Sequence, residues 1–294
     1  MRIDKLSIVL PARNEAKSLQ TLLPALNSLY PGAEIIVVND GSNDGTREII
    51  EQFEVIQISH PYSLGNGAAI KSGARMATGD VILFMDADGQ HDPADIKMLL
   101  EKYEDGFDMV VGARVATTHA SFMRRIANNF YNKLASFMTG HKILDLTSGL
   151  RLVNARKFGR FLYLLPNGFS YPTTSTMAFY RSGFPVAYVP IHASPREGKS
   201  KIRLLHDGFR FVIIILKIGA LFSPMRLFVP VSFLVFLAGI SYYAFTYFND
   251  NRFTNMSALL LISSLFIFLI GILSEQISML HYKNADSFES KNSD

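Results

Sequence analysis

Asp86 and Asp88 flank Ala87 immediately after the apolar run Val81–Met85. Two carboxylates that close together, at the end of a buried strand, converge on one point. There they raise each other's pKa unless a cation neutralises them. With the side-chain amide of Gln90 they offer hard oxygen ligands. Such a set suits Mg2+ or Mn2+, ions that keep waters and share their remaining positions with phosphate oxygens. The same stretch also reads as a solvated Asp-rich turn. Asp92 stands where an N-cap belongs, Pro93 at the first helical position and Asp95 in the first turn. Spacing alone leaves both readings open. His91 draws interest because it abuts this loop, whereas the other six histidines show no metal-ligand spacing and read as structural or exposed.

Other chemistries are excluded or weak. The chain has no Cys, so a disulfide framework, a thiolate metal site and a thiol nucleophile all fall away. Gly65-Asn66-Gly67 lacks the third glycine of a dinucleotide fingerprint and does not follow a first strand. There is no Walker A lysine motif and no Gly-x-Ser-x-Gly elbow.

The elements that must position these residues alternate. Leu6–Leu10, Glu34–Val38, Val55–Ile58, Val81–Met85 and Met109–Val111 read as strands. Between them Glu15–Leu29, Thr46–Phe53, Gly65–Ala77 and Pro93–Tyr103 read as helices; the first is apolar at Leu19, Leu22, Leu23 and Leu26. This alternation predicts an α/β fold, a mostly parallel sheet covered by helices, whose ligands collect at the carboxyl ends of the strands. Polar, turn-forming clusters follow three strands: Pro11–Glu15, Asn39–Thr46 and Asp86–Pro93.

The rest of the chain has another character. Across 294 residues, 49% are hydrophobic and only 18% charged, and this surplus is local. Leu227–Phe248 and Phe253–Ser274 contain no Asp, Glu, Lys or Arg. Each is roughly 22 residues long, enough for a helix to cross about 30 Å of hydrocarbon. The polar turn Asn249–Arg252 joins them into an antiparallel transmembrane hairpin, with Tyr242, Tyr243 and Tyr247 near that turn as interfacial aromatics. Lys199, Lys201, Arg203, Arg210, Lys217 and Arg226 precede the first span, and the turn offers only Arg252. The positive-inside rule therefore places the long N-terminal part and the C-terminus in the cytoplasm. Ile8-Val9-Leu10 is strand-length and stops at Pro11, so no signal peptide is expected. Phe209–Phe222, interrupted by Arg210 and Lys217, suits an amphipathic helix lying in the membrane interface, with Pro224 breaking the chain after it. A core helix of the globular part is the alternative. A net charge of +4 without a basic stripe does not point to nucleic acid.

Taken together, these motifs resemble the family-2 glycosyltransferases of the GT-A fold, and more narrowly the polyprenyl-phosphate hexose synthases. The matching residues are Val9-Leu10-Pro11 with Asn14-Glu15, Val37–Ser42 with Asp44-Gly45-Thr46, and Asp86–Pro93. They continue with Val111–Arg114, Asp145–Arg151 and Arg196–Lys201. Arg13 and Asn39 depart from the family pattern, which often has an aromatic and Asp there; both lie on the nucleotide side, so base preference does not carry over.

The resemblance implies a Rossmann-like catalytic domain over residues 1–202, a juxtamembrane helix over 203–225, the hairpin over 226–276 and a polar cytoplasmic tail over 277–294. It implies that Pro11, Arg13, Glu15 and Asp40 line the base and ribose of a UDP- or GDP-sugar. Asp86, Ala87, Asp88 and Gln90 would face its diphosphate, with Asp86, Asp88 and Gln90 holding Mg2+ or Mn2+. Arg114, Arg125, Arg196 and Lys201 would bind phosphate oxygens of donor or acceptor. Asp145 and Ser148 would shape the site of transfer. The implied reaction moves one hexose, with inversion, to a polyprenyl phosphate at the cytoplasmic face of the inner membrane. Two alternatives remain. A processive polysaccharide synthase usually carries more spans and a Gln-x-x-Arg-Trp motif, and this chain has no Trp. A non-enzymatic membrane assembly partner would not need the full acidic and basic set. Gly239 and Gly271 offer surfaces where helices pack within a hairpin or between copies, leaving a homo-oligomer open.

Overall fold

A computed structural model of the chain describes residues 3–115, 122–168, 170–194, 212–213, 215–217, 219–221 and 223–290, with side chains at 122–127, 250 and 281–290 outside the description. The chain divides into two compact units, Met1–Lys133 with Lys142–Phe211, and Leu134–His141 with Val212–Asp294.

The first unit is an α/β sheet of seven strands: β1 (Leu6–Ala12), β2 (Glu34–Asn39), β3 (Ile56–Ser59), β4 (Val81–Phe84), β5 (Met109–Arg114), β6 (Arg151–Asn154) and β7 (Val186–Ile191). Its helices are α1 (Ala16–Leu29), α2 (Thr46–Ile50), α3 (Asn66–Met76), α4 (Ile96–Glu104), α5 (Phe122–Thr139), α6 (Ala155–Gly159) and α7 (Tyr171–Arg181). The last two turns of α5 belong to the second unit.

Spatial order is β3-β2-β1-β4-β6-β5-β7. β1 lies between β2 and β4, parallel to both, and its Ile8, Val9 and Leu10 are fully buried. Burial on both faces is why this strand reads as a continuous apolar run. Order reverses at β1, with β2 and β3 to one side and β4 to the other, and this opens a crevice at the carboxyl ends. α3 lies close on this centre because Gly73 has no side chain; a Cβ there would collide with Val9. Leu19, Leu22, Leu23 and Leu26 of α1 all enter the core. Each such buried side chain is worth about 1.5–3 kcal/mol.

β6 runs against both neighbours. Arg151 pairs across the sheet with Phe84 on β4 and with Val111 on β5. The residues that enter β6, 145–150, therefore lie beside the ends of β4 and β5. The rest of the alternation follows the sequence closely, with two trims. α2 stops at Ile50, where tight turns from Gln52 N–H to the Ile49 carbonyl and from Phe53 N–H to the Ile50 carbonyl unwind it. Pro93–Asp95 is a 3-10 turn ahead of α4, and Asp92 caps it by accepting from Ala94 N–H at 2.9 Å.

In the second unit, α8 (Pro224–Asp250) and α9 (Asn255–Ser290) form an antiparallel pair. Both are long and apolar enough to cross a membrane, over Pro224–Asn249 and Asn255–Leu280, with mean hydropathies of 1.9 and 2.6. Their outward faces carry exposed Phe233, Leu234, Phe245, Phe266 and Leu273. Leu260 and Leu261 pack against the bare Gly239, and Ser232 donates to the Ser264 carbonyl at 2.8 Å. Glu275 on α9 accepts from Met225 N–H at 3.3 Å in the first turn of α8. The break expected at Pro224 falls at non-helical Ser223, and Pro224 itself starts α8, where proline's missing N–H costs nothing. Asn251 closes α8 in the left-handed region, at φ 51°. α9 continues as helix past the expected end at Ser274 and through most of the polar tail. Of the expected interfacial segment, 212–213, 215–217 and 219–221 are helical, and the remainder lies outside the described residues.

Candidate active site

The loops after β1 and β2 are tied together by their own polar side chains. Asn14 adopts φ 58°, a conformation Asn tolerates better than most residues. Its Oδ1 accepts from Asn43 N–H at 2.8 Å, and its own N–H donates to Ser42 Oγ at 3.0 Å. Glu15 N–H donates to Thr46 Oγ1 at 3.0 Å. Arg13 is exposed on this knot and lines a pocket of about 550 Å³ together with Asn39, Ser42, His60 and Tyr62.

Asp40, 3% exposed, organises the next loop. Its carboxylate accepts from His60 Nδ1 and Ser63 Oγ, both at 2.8 Å, and from the N–H groups of Leu64 at 2.8 Å and Gly65 at 3.0 Å. Burial works to raise its pKa, but these donors prevail and hold it below the usual carboxylate range. His60 Nε2 in turn meets Ser72 Oγ at 2.9 Å, so the β3–α3 loop hangs from one buried acid.

The metal-suited loop leaves β4. Asp88 Oδ1 accepts from Gln90 N–H at 3.2 Å, and Gln90 bonds both ways with Ser194: its carbonyl accepts from Ser194 N–H at 2.9 Å and its amide donates to the Ser194 carbonyl at 3.3 Å. His91 is 6% exposed, and its Nδ1 has no hydrogen-bond partner among the described residues. Desolvation lowers its pKa to about 4, opposed by Asp88 and Asp145 and aided by Arg114. His91 is therefore a neutral imidazole beside three charged groups.

Arg114 and Asp145 meet across this loop. Arg114 donates from Nε to Asp145 Oδ2 at 2.8 Å, from Nη2 to Oδ1 at 3.0 Å, and from Nη2 to Thr147 Oγ1 at 2.6 Å. Backbone N–H groups of Arg114 and Thr147 add to the same carboxylate at 3.2 and 3.0 Å. Burial pushes the Asp145 pKa up and the Arg114 pKa down. The pair reverses both, so Asp145 sits low and Arg114 high, with Asp86 and Asp88 adding to the latter.

Ser148 is fully buried, and its Oγ accepts from Leu150 N–H at 3.3 Å. At Gly149 a Cβ would strike the Asp86 carboxylate, so a larger residue there would displace that side chain.

The sequence-derived residues thus fall into two groups. Pro11, Arg13, Glu15 and Asp40 lie on or beside the loops after β1 and β2. Asp86, Ala87, Asp88, Gln90, Arg114, Asp145 and Ser148 gather where β4, β5 and the entry to β6 end. Arg196 and Lys201 lie outside the described residues, as does the side chain of Arg125 on α5. Sequence reasoning missed His60, Thr147 and Gly149 as parts of the site, and Arg151 beneath it. Nothing in the sequence links Gly149 to Asp86 or His60 to Asp40.

Among the described residues no three His, Cys, Asp or Glu side chains cluster as a self-sufficient metal cage. Two carboxylates and an amide on one loop fit a divalent ion whose shell is completed by waters and ligand phosphates.

Residues 7–162 match the model of glycosyl transferase family 2, and residues 223–280 that of the GtrB C-terminal hairpin. The chain is 32% identical over 160 residues to undecaprenyl-phosphate 4-deoxy-4-formamido-L-arabinose transferase of Proteus mirabilis (strain HI4320), covering 51% of this chain and spanning about half, 49%, of that relative. Among solved structures it resembles glucosyl-3-phosphoglycerate synthase from Mycobacterium tuberculosis. The complex of that protein with Mn2+ and UDP-glucose shares 21% identity at TM-score 0.59 over 72% of this chain and 77% of that one. Its complex with Mg2+ and UDP gives 19% identity and TM-score 0.61 over 73% and 79%. These structures share the GT-A fold described above. A match over more than half its length, carried by the same loops that build the site, shows that this chain belongs to glycosyl transferase family 2.

Proposed function

We propose that this protein transfers a single hexose, or hexose derivative, from a UDP- or GDP-sugar to the phosphate of a polyprenyl phosphate, at the cytoplasmic face of the inner membrane. The observation that carries the reading is the Asp86–Asp88–Gln90 loop set beside the Arg114–Asp145 pair, on a family-2 domain whose chain continues into an apolar hairpin. The Proteus relative's undecaprenyl-phosphate acceptor and the Mycobacterium protein's UDP-glucose and Mn2+ support the two substrate classes and the ion.

Asp86, Asp88 and Gln90 would hold Mg2+ or Mn2+. When bound, the ion supplies charge neutralisation for the departing nucleoside diphosphate. A lipid phosphate is ionised at neutral pH, so its oxygen attacks the anomeric carbon without a strong base. The bond from that carbon to the diphosphate oxygen breaks, and its electrons leave with the nucleoside diphosphate. What the chain must provide is alignment and cations that hold two anions together. Arg114 suits this role, since Asp145 and Thr147 fix its guanidinium and leave it rigid. Asp145, with its oxygens engaged by Arg114, orients this cation and does not act as a base. Arg125, Arg196 and Lys201 would add further phosphate contacts, while Pro11, Arg13, Glu15 and Asp40 would hold the base and ribose. The hairpin would anchor the chain in the bilayer that contains its acceptor, with residues 1–202 as the catalytic part.

The test is to incubate membranes containing the full chain with polyprenyl phosphate, Mg2+ or Mn2+ and a panel of labelled UDP- and GDP-sugars. One donor should label a lipid, and Asp88→Ala should abolish the label. Absence of labelled lipid with every donor, or full activity of Asp88→Ala, would overturn the reading. Long polymeric product would instead make the protein a processive synthase.

A further inference from the structure

Arg151 is a charged side chain with no exposed surface, at the first position of β6. A buried guanidinium costs several kcal/mol unless its donors are engaged. Here the hydrogen-bond partners of the two Nη groups are neutral, and Nε has none among the described residues. Nη1 donates to the Pro172 carbonyl at 2.9 Å, Ser175 Oγ at 2.8 Å and Thr176 Oγ1 at 3.2 Å, all in the first half of α7. Nη2 donates to the Ser148 carbonyl at 2.6 Å. The aromatic ring of Tyr171 lies 5.5 Å from the guanidinium carbon. Asp145 and Asp86 act on Arg151 only through space. A leucine at this position would pack without that expense, so the charge serves something other than core stability.

Its fork joins α7 to one particular peptide. The Ser148 carbonyl that it grips belongs to the peptide whose nitrogen is that of Gly149, and the Gly149 carbonyl accepts from Tyr171 Oη at 3.4 Å. Two consecutive carbonyls are thus held from the α7 side. The bare Cα of Gly149 also lies against the Asp86 carboxylate, so closely that a methyl group there would strike it. Across the ladder Arg151 pairs with Phe84, two residues before Asp86.

We propose that Arg151 is the positioning residue for Asp86: by clamping the Ser148 carbonyl to α7 it fixes Gly149 as the wall against which the Asp86 carboxylate is set. This rests on the reading of Asp86 as a metal ligand. Outer-shell groups that orient a metal ligand typically change metal affinity by about 10–100-fold when replaced. A lysine keeps the charge but cannot span α7 and the Ser148 carbonyl with one planar fork.

The experiment measures Mn2+ binding to the purified full chain in detergent, with UDP and separately with GDP present, by the electron paramagnetic resonance signal of free Mn2+. Wild type, Arg151→Lys, Ser175→Ala and Gly149→Ala are compared, each with its thermal unfolding midpoint. Arg151→Lys and Gly149→Ala should each weaken Mn2+ binding by about tenfold or more. In the transfer assay they should raise the Mn2+ concentration needed for half activity more than they lower the rate at saturating Mn2+. Ser175→Ala, which removes one acceptor of the fork on α7, should weaken binding several-fold, and it decides the matter if Arg151→Lys does not fold. A merely structural role would lower the unfolding midpoint and leave the Mn2+ affinity of the folded protein unchanged; that result overturns the proposal. Failure of wild type itself to bind Mn2+ with either UDP or GDP would overturn the metal reading on which it rests.

Discussion

Arg114 and Asp145 form a two-point ion pair, Nε to Oδ2 at 2.8 Å and Nη2 to Oδ1 at 3.0 Å, on the last residue of β5 and in the loop that enters β6. Because β6 runs antiparallel, this pair bridges two segments that sequence order separates by the whole of α5. It turns a flexible arginine into a fixed cation next to the metal-suited loop.

Breaking the geometry without removing the charge should therefore impair transfer. Arg114→Lys retains a cation but cannot make the bidentate contact. It should lower kcat/KM by about tenfold to a hundredfold, equal to about 1.4–2.8 kcal/mol of lost transition-state stabilisation. Asp145→Asn should act in the same direction, with a lower unfolding midpoint because a charged hydrogen-bond network loses its acceptor. Steady-state kinetics of both variants, with circular dichroism melts, check this. Unchanged kinetics in Asp145→Asn would remove the orienting role.

His91 predicts a pH dependence of stability in chelator-treated protein. Its native pKa of about 4 lies below its ordinary value of 6.5, so the unfolded chain binds the extra proton between those limits. Stability contributed by the neutral imidazole is complete above about pH 6.5 and declines as pH falls toward about 4, by a total on the order of 3 kcal/mol. Denaturant melts across that range should show the slope, and His91→Phe, which cannot titrate, should flatten it.

Asp40 acts at lower pH. Its native pKa is depressed, so its contribution is present above the unfolded value of about 3.9 and is lost as pH falls through the native one. Asp40→Asn keeps the shape but points an amide at four donors. It should release the β3–α3 loop, and the KM for the sugar nucleotide should rise by about tenfold or more with a smaller change in kcat. Hydrogen exchange at Leu64 and Gly65, whose N–H groups the carboxylate holds, should quicken in the variant.

Much of this architecture is legible in the sequence because parallel strands advertise themselves. Val81–Met85 is uniformly apolar since both faces of β4 are covered, and the polar cluster after it marks the carboxyl edge. The same logic found Pro11–Glu15 and Asn39–Thr46. β6 escaped it: four residues long and led by Arg151, it looks like surface until the sheet shows that the arginine is wholly buried. The Asp40–His60 contact was equally hidden, since it depends on the parallel pairing of β2 with β3, which aligns Asn39 with Ser59. The hairpin was legible from its lack of charge, but the length of α9 was not. Its charged and polar residues after Ser274 read as a tail, and nothing local forbids helix there.

The reversed strand also bears on biosynthesis. β4 and β5 do not pair with each other; both pair with β6, which the ribosome makes after them. A nascent chain not yet extended past Asn154 therefore holds an open edge on β4, rich in Val, Ile, Leu and Phe, and a β5 with no strand to pair with, since β7 is made later still. Such edges invite pairing with other chains. Until Asn154 is made, β4 and β5 are thus open to pairing with other chains, and a pause in translation between Arg114 and Asn154 prolongs that exposure.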